Sequence, residues 1–481
     1  MSETFSRYFA IIPMVCVAVS AVFAMLAEAF RQPGERMPIY GLGLIGLAGA
    51  AVSSVMLWDA DAHSFGVVRA DNFALFVNLI LCIVGVLTML FSNELVEREG
   101  LPLGEYYALT LFAISGMMLM ASATDLLVIF LALEVLSLSV YVLTGLRRAS
   151  ATGAEAAFKY FLLGAFSSAF FLYGIAFAFA VSGSTRLEQL GVALSSQGAG
   201  TPSTLALLAV GLLAVGFAFK VSAVPFHMWT PDAYEGAPTI VTAFMSTGVK
   251  AAAFAAFVRV FLSPLEPLKD QWVPVLAVIA GATMILGTVV GVVQTNVKRM
   301  LAYSSIAHAG YLLLGLIATT ATGKAAVLFY LLSYAVTNLG ALGIVALLGT
   351  PQHEHDELRD FAGLWKSHPG LAGLMTVFLL SLGGFPPTAG FIGKWYIFAA
   401  AVERGYYWLA IIGVLTSVVS VFFYLRIVVM MYMTEGSDTP RPHLPATAVA
   451  GLALATLAVF YLGVLPTKVI DLALDSIATI F

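Results

Sequence analysis

Long apolar runs separated by short polar segments recur along the whole chain of 481 residues. Each run has roughly 18–25 residues, the length at which an α-helix crosses a hydrocarbon core of about 30 Å. The pattern predicts an all-α polytopic membrane protein with about 14 transmembrane helices. The approximate spans are 8–30, 38–58, 72–92, 106–122, 124–146, 156–181, 204–223, 238–262, 272–294, 300–318, 325–349, 371–400, 408–433 and 446–464.

Two of these runs contain residues that interrupt a helix. In the seventh run, Lys220 is followed by VSAVPFHMWTPDAYEGAP, in which each proline lacks a backbone donor. In the twelfth run, SLGGFPPTAGFIGKW contains Pro386 and Pro387. We therefore expect broken helices 7 and 12. Unwound backbone at membrane depth persists only where it is buried in protein or lines a wet cavity.

The spacing of the two breaks predicts an internal repeat. The breaks lie five helices apart, so the unit of helices 4–8, residues 106–262, would recur as helices 9–13, residues 272–433. Because five is odd, the second copy would be inverted in the membrane. An N-terminal three-helix segment, 1–105, precedes the repeats, and a C-terminal helix and tail, 446–481, follow them.

Composition narrows the class of protein further. Hydrophobic residues make up 60% of the chain and charged residues only 10%, so the lipid bilayer is its main solvent. A net charge of -4 without basic clusters argues against nucleic acid as a partner. Cys16 and Cys82 each stand alone in an apolar run, which argues against an iron–sulfur cluster or structural zinc.

Three further patterns concern cofactors, metals and orientation. The sequence has no dinucleotide-binding, P-loop, haem or flavin motif, so we expect any redox chemistry in other chains. The loop string HEHDELRD, with His353 and His355, is more typical of a solvated loop than of a metal site. Lys and Arg are slightly more numerous in the loops opposite the termini than in the terminal-side loops, to which we assign Arg259. This bias predicts both termini outside the cell.

Four ionisable residues lie deep inside the apolar runs. They are Glu134 in helix 5, Lys220 in helix 7, Lys250 in helix 8 and Lys394 in helix 12 after its break. A charge at mid-membrane costs at least about 2.5–3.5 kcal/mol, so intramembrane charges usually have a function. A glutamate and a lysine whose separation changes can load and unload a proton. We expect proton translocation; the alternative is a static buried ion pair between Glu134 and Lys220.

Three further residues are weaker candidates, each with a structural alternative. Lys159 lies one turn into helix 6, where it can serve a relay or extend its ammonium to the membrane surface. His308 lies mid-helix 10 beside Ser304 and Ser305, as a relay or as a packed, hydrogen-bonded histidine. His227, next to the break in helix 7, can admit protons from the loop side or cap a helix.

Four stretches together resemble one known family. They are LEVLSLSVYVL, AFKVSAVPFHMWTPDAYEGAPT, NVKRMLAYSSIAHAGY and GFPPTAGFIGKWYIF. They are similar to the antiporter-like membrane subunits of bacterial respiratory complex I, the NADH:quinone oxidoreductase. Lys394 stands where subunit M of that complex typically carries Glu, and the chain lacks the long lateral helix of subunit L.

The resemblance implies a fold and a set of roles. It implies fourteen transmembrane helices with two inverted five-helix repeats, Glu134 and Lys220 as a coupled pair, Lys250 as central relay and Lys394 as exit-side carrier. Lys159 and His308 resemble auxiliary relay positions. The family's subunits hold no cofactor, with flavin, iron–sulfur clusters and quinone in partner subunits. It further implies subunit M and small membrane subunits as neighbours, and the bacterial inner membrane as the location.

Two other functions fit the same residues. A subunit of a Mrp-type sodium/proton antiporter would share the fold and the charged helices. A structural membrane subunit that conducts nothing would share the fold alone. Co-purifying flavin and iron–sulfur subunits would favour complex I, and sodium-dependent exchange without NADH oxidation would favour the antiporter.

Overall fold

The computed structural model describes residues 7–32, 38–196, 202–350, 355–435 and 444–480. In these ranges the chain is helical apart from one small hairpin, which confirms the predicted all-α class. The helices up to the first break are α1 (Ile12–Phe30), α2 (Ile39–Met56), α3 (Asn72–Arg98), α4 (Leu103–Ser122), α5 (Leu126–Thr144), α6 (Ala151–Ser182), α7 (Leu187–Ser196) and α8 (Thr204–Lys220).

The second part of the chain contains both long helices and short helical segments. They are α9 (Trp229–Gly236), α10 (Thr239–Phe244), α11 (Lys250–Phe261), α12 (Lys269–Val292), α13 (Val297–Ala318), α14 (Ala321–Leu348), α15 (Leu364–Ser367), α16 (Pro369–Gly383), α17 (Ala389–Glu403), α18 (Tyr407–Met433), α19 (Ala446–Val464) and α20 (Thr467–Ala478). A π-helical turn, Met245–Val249, joins α10 to α11. Short 3-10 turns occupy Phe9–Ile11, Glu266–Leu268 and Leu358–Phe361.

Twelve helices in the described ranges are long and apolar enough to cross a membrane. Two further apolar helices, α8 and α16, are shorter, and each ends where the sequence predicts a break. The polytopic membrane fold is therefore confirmed. Fourteen crossings, with α8–α9 and α16–α17 each counted as one broken span, stay a prediction.

Polar side chains begin several of the apolar helices. Asp125 accepts from the first amides of α5, Ser150 from that of Gly153 in α6, and Asn296 from that of Arg299 in α13. These bonds satisfy amides that have no partner inside their own helix. A helix start needs such a partner where lipid replaces water, because lipid offers no acceptors.

The first break begins with a left-handed residue. After α8 ends at Lys220, Ser222 takes a φ of 66°, and the Ala223 amide donates to the Ala218 carbonyl at 2.8 Å. The Thr230 hydroxyl, beyond the break, donates to Ser222 Oγ at 2.7 Å. The two half-helices are thus joined by a buried hydrogen bond.

The second break has the same local geometry. After α16 ends, Gly384 takes a φ of 84°, and the Phe385 amide donates to the Leu380 carbonyl at 3.0 Å. Glycine suits this position because it has no Cβ to clash in the left-handed region. Both breaks therefore use one type of helix-ending turn.

Four elements form the centre of the bundle: α3, the continuous stretch α10–α11, α13 and α14. Residues Thr239–Phe261 are wholly buried, and α13 and α14 are nearly so. The outer helices α1, α2, α6, α18 and α19 expose many apolar side chains, as lipid- or partner-facing helices do. Lys250 on α11 and Lys298 on α13 therefore lie inside the protein.

A β-hairpin, β1 (Ala62–Ser64) and β2 (Val68–Ala70), connects α2 to α3. Val68 also bridges to Ala123, which fixes the hairpin to the end of α4. Arg69 donates to Asp61 at 2.6 Å. That hydrogen bond holds the pKa of the Asp61 carboxyl below its ordinary value, against the opposing effect of partial burial.

Candidate functional site: a row of buried charges

Glu134 and Lys220 lie close together without touching. The Lys220 side chain is 3% exposed, and its Nζ donates to Ser137 Oγ at 2.7 Å. Ser137 stands one turn after Glu134 on α5 and donates onward to the Leu133 carbonyl. Glu134 itself accepts from Ser168 of α6. A serine hydroxyl thus takes the place beside Lys220 where the sequence suggested the carboxylate.

Aromatic rings surround the Lys220 ammonium. The ring centres of Tyr141 and Tyr160 lie 5.4 and 5.6 Å from Nζ. Ring faces attract a cation, so these contacts stabilise the charged lysine. Tyr160 stacks on Trp229 at 4.2 Å, and the Tyr141 hydroxyl approaches α6 at Gly164, where a Cβ would overlap it. The break between α8 and α9 thereby places the Trp229 ring against Tyr160, one of the two rings that contact the Lys220 ammonium.

Lys250 follows directly on the π-helical turn Met245–Val249. Its ammonium is buried and donates to both the carbonyl and the hydroxyl of Ser305 on α13. The ring of Tyr334 on α14 lies 5.4 Å from Nζ. Among the described residues, no carboxylate lies within ion-pairing distance of this lysine, so neutral groups alone solvate it.

A hydrogen-bonded string continues from that point along α13. Ser304, next to Ser305, is bonded to the Tyr424 hydroxyl of α18. Tyr424 also lies 3.1 Å from His308 Nε2, and His308 Nδ1 is bonded to the Tyr330 hydroxyl of α14. His308 is therefore fully engaged with two tyrosines, an arrangement that fits a relay and a packed histidine equally well.

Lys394 reaches back to the break that precedes it. Its Nζ donates to the carbonyls of Leu382 and Gly383 at 2.8 and 3.2 Å and to Ser417 Oγ at 2.8 Å. These carbonyls are free because α16 ends there. The ring of Tyr311, on α13, lies 5.2 Å from Nζ. The broken helix thus supplies the ligands of the lysine.

The two weaker candidates Lys159 and His227 lie away from this row. Lys159 is 44% exposed and pairs with Glu155 at 2.7 Å and Asp232 at 2.8 Å. Asp232 in turn pairs with Arg299 at 2.8 Å. His227 is half-buried beside the first break, and its Nδ1 has no hydrogen-bond partner in the described ranges.

Sequence reasoning missed two buried cations. Arg259 is no loop residue, and that assignment was wrong: it lies inside α11, is 2% exposed and forms two hydrogen bonds to Asp71, at 2.8 and 2.7 Å. The apolar stretch AAFAAFVRVFL around it was the available signal. Lys298, the second residue of α13, is 0% exposed and donates to the Ala237 carbonyl at 2.8 Å.

Several buried polar atoms near the lysines have no protein partner in the part of the chain that is described. They are the hydroxyls of Tyr160, Ser333 and Tyr334 and the Oδ1 of Asn338. Buried polar atoms normally bond to protein or to ordered water. These positions are therefore where water is expected to bind.

Metal ligands do not cluster in the described ranges, where no group of three or more suitable side chains occurs. His353 lies outside the described residues, and His355 stands 3.8 Å from Asp360. Cys16 and Cys82 are both free thiols.

Comparison with known proteins agrees with this architecture. Residues 123–420 match the family model described as NADH:quinone oxidoreductase/Mrp antiporter, transmembrane. NADH-quinone oxidoreductase subunit N of Trichlorobacter lovleyi is 45% identical over 98% of this chain and 97% of its own.

Solved structures give the same result at the level of the fold. A chain of respiratory complex I from Thermus thermophilus is 36% identical and superimposes with a TM-score of 0.80, covering 95% of this chain and 98% of the other. A chain of the Mrp complex from Dietzia superimposes with a TM-score of 0.84 over 99% and 97% of the two chains. At 20% identity, that second likeness concerns the fold alone.

Proposed function

The chain belongs to the NADH:quinone oxidoreductase/Mrp antiporter family, and from this membership we propose that it carries protons as a membrane subunit of an NADH:quinone oxidoreductase. The resemblance to the antiporter-like subunits of complex I is thereby confirmed. The protein is a multi-pass protein of the bacterial inner membrane. The chain serves that complex as a proton translocase, driven by redox chemistry in other subunits.

One observation carries the proposal: a single helix, α13, contacts both Lys250 of the first repeat and Lys394 of the second. Ser305 binds Lys250, Ser304 begins the string through Tyr424 to His308, and the Tyr311 ring lies against Lys394. Hydroxyl and imidazole groups both donate and accept, so such a string with interposed water can pass protons. A purely structural subunit would not need this hydrogen-bonded string.

The residues take the following roles. Glu134 and Lys220 act as a coupled pair, with Ser137 between them as the hydroxyl through which their charges communicate. Lys250 receives the proton at the centre, and Lys394 is the exit-side carrier. His308 is the relay between these two lysines.

Lys159 and His227 serve the surface side of the path. Lys159 and Asp232 line a polar cavity of about 440 Å³ together with Glu235, Asn296 and Asp356. Charged side chains that line such a cavity exchange protons with bulk water. His227, at the break, has an unbonded ring nitrogen with which to take part.

The repeat organisation belongs to the same proposal. Residues 106–262 and 272–433 form two inverted five-helix units, preceded by 1–105 and followed by 446–481. In support, Ser222 and Gly384 adopt the same left-handed turn, and Pro225 and Pro387 follow at equal distance.

The chain holds no redox or nucleotide site in this proposal. Flavin, iron–sulfur clusters and quinone belong to partner subunits, and its neighbours are subunit M and small membrane subunits. That the chain joins a multi-subunit membrane complex follows from its relatives.

The test is to purify the complex through a tag on this chain and to identify its subunits. We expect flavin and iron–sulfur subunits, NADH oxidation and proton uptake in reconstituted vesicles. Sodium-dependent proton exchange without NADH oxidation would instead make the chain an antiporter subunit. Normal pumping after neutralisation of all four charges would leave it a structural subunit.

A further inference from the structure

The π-helical turn Met245–Val249 decides where Lys250 points. A π-turn holds one more residue than an α-helical turn, and each residue of an α-helix turns the chain by about 100°. If the turn became α-helical while α10 stayed in place, Lys250 would rotate by about that angle. Its ammonium would then leave Ser305, to which it now donates.

A buried asparagine on the neighbouring helix holds this turn. Asn338 of α14 is 1% exposed, and its Nδ2 donates to Ser246 Oγ at 2.8 Å. Ser246 lies inside the π-turn and donates in turn to the Ala243 carbonyl at 3.0 Å. The side-chain amide of Asn338 therefore binds a residue inside the π-turn.

The contact belongs to a continuous face between the two helices. Lys250 follows Ser246 by four residues, and Tyr334 precedes Asn338 by four, so the two pairs face each other in antiparallel order. The Tyr334 hydroxyl and Asn338 Oδ1 have no protein partner in the described ranges. These two atoms can bind water on the face of α14 that Lys250 contacts through Tyr334.

We propose that Asn338 is a positioning residue for Lys250: it holds the π-turn in the register that aims the ammonium at Ser305 and it binds a water molecule beside it. This inference rests on the proposed function, which makes Lys250 a proton carrier. It adds that a residue of α14 sets the orientation of the Lys250 side chain. The same helix contributes Tyr330, which is bonded to His308.

The first experiment is structural and does not depend on activity. A cryo-electron microscopy map of the complex carrying Asn338→Leu should show 245–249 in α-helical register and Lys250 turned away from Ser305. The matched control is Thr110→Val, which removes a buried hydroxyl bonded only within its own helix. An unchanged π-turn in Asn338→Leu would overturn the proposal.

The second experiment is a double-mutant cycle on proton uptake per electron in vesicles. Asn338→Leu and Ser246→Ala should each lower the ratio about fivefold, and the double variant should fall by less than the product of the two effects, because both variants remove the same Asn338–Ser246 hydrogen bond. Asn338→Gln, which keeps the donor, should restore part of the ratio. A positioning role also moves the pH profile of uptake, whereas loss of assembly lowers all activities in proportion.

Lys250→Met separates the two hypotheses. If that variant stops translocation and Asn338→Leu pumps normally, the role of Asn338 fails and the proposed function stands. If Lys250→Met itself pumps normally, the proposed function of Lys250 fails, while the map still decides whether Asn338 holds the turn.

Discussion

The Lys220 ammonium lies 2.7 Å from the Ser137 hydroxyl. Ser137 is one turn from Glu134 on the same helix, so a neutral group stands beside the cation and the carboxylate stands further along. A hydroxyl in this place can accept a hydrogen bond from the ammonium or donate one to the carboxylate. The contact makes a sharp test of the coupled pair.

Replacing Ser137 by Ala should weaken proton translocation. A hydrogen bond to a charged group is worth about 1.5–3 kcal/mol, so its loss should cut occupancy of this lysine position about tenfold or more. The measurement is proton uptake per electron in reconstituted vesicles. Ser139→Ala is the control, since Ser139 bonds only to the Val135 carbonyl of its own helix. Equal uptake by both variants would remove Ser137 from the path.

Removing either charge of the pair should have a larger effect. Glu134→Ala or Lys220→Ala leaves the other group without its electrostatic partner in a low-dielectric interior. We expect pumping and coupled turnover to fall while native gels still show the assembled complex. A mutant complex that pumps at the normal rate would show that the pair is structural.

Lys394 should tolerate a titratable replacement better than an inert one. Lys394→Met is similar in length but cannot donate to the Leu382 and Gly383 carbonyls, so translocation should be abolished or strongly reduced. Lys394→Glu should keep part of it, because a protonated carboxyl can still donate to one of them. Proton uptake is measured alongside electron transfer. Near-normal pumping by both variants would contradict the carrier role.

The Arg259–Asp71 pair should dominate the stability of the helix ends it joins. Asp71→Asn keeps an acceptor for the Ala74 amide but leaves Arg259 buried and unpaired, at a cost of about 3–5 kcal/mol. Thermal unfolding of the purified complex should begin at lower temperature. The control is Lys366→Met, which breaks the exposed pair with Glu435 and should cost less than about 1 kcal/mol. Equal effects would show that burial adds nothing to the inner pair.

The predicted orientation places exposed Ser367 inside the cell and exposed Glu403 outside. With Cys16 and Cys82 replaced first, Ser367→Cys should resist an impermeant thiol reagent in intact cells, and Glu403→Cys should react. The reverse labelling pattern would invert the topology. Labelling at both positions would contradict the number of crossings between them.

Sequence patterns predicted the long apolar helices, because hydrophobic length acts locally. They also placed Lys220, Lys250 and Lys394 inside apolar runs, and the structure buries all three. They could not predict that Ser137 stands beside Lys220 or that Tyr424 meets His308, since those contacts join residues distant in the chain. The π-turn before Lys250 left no compositional trace. Arg259 was misplaced because it stands three residues before the predicted helix end at 262, where a charge usually marks the membrane surface.

The two helix breaks share a turn, yet they differ in the energy they store. Gly384 adopts its left-handed φ of 84° at no steric cost, whereas Ser222, at 66°, bears a side chain that costs roughly 1–2 kcal/mol there. Thr230 holds Ser222 in place through one hydroxyl. If the flanking helices move, straightening the first break recovers this backbone cost and straightening the second does not, so the two breaks are not energetically equivalent.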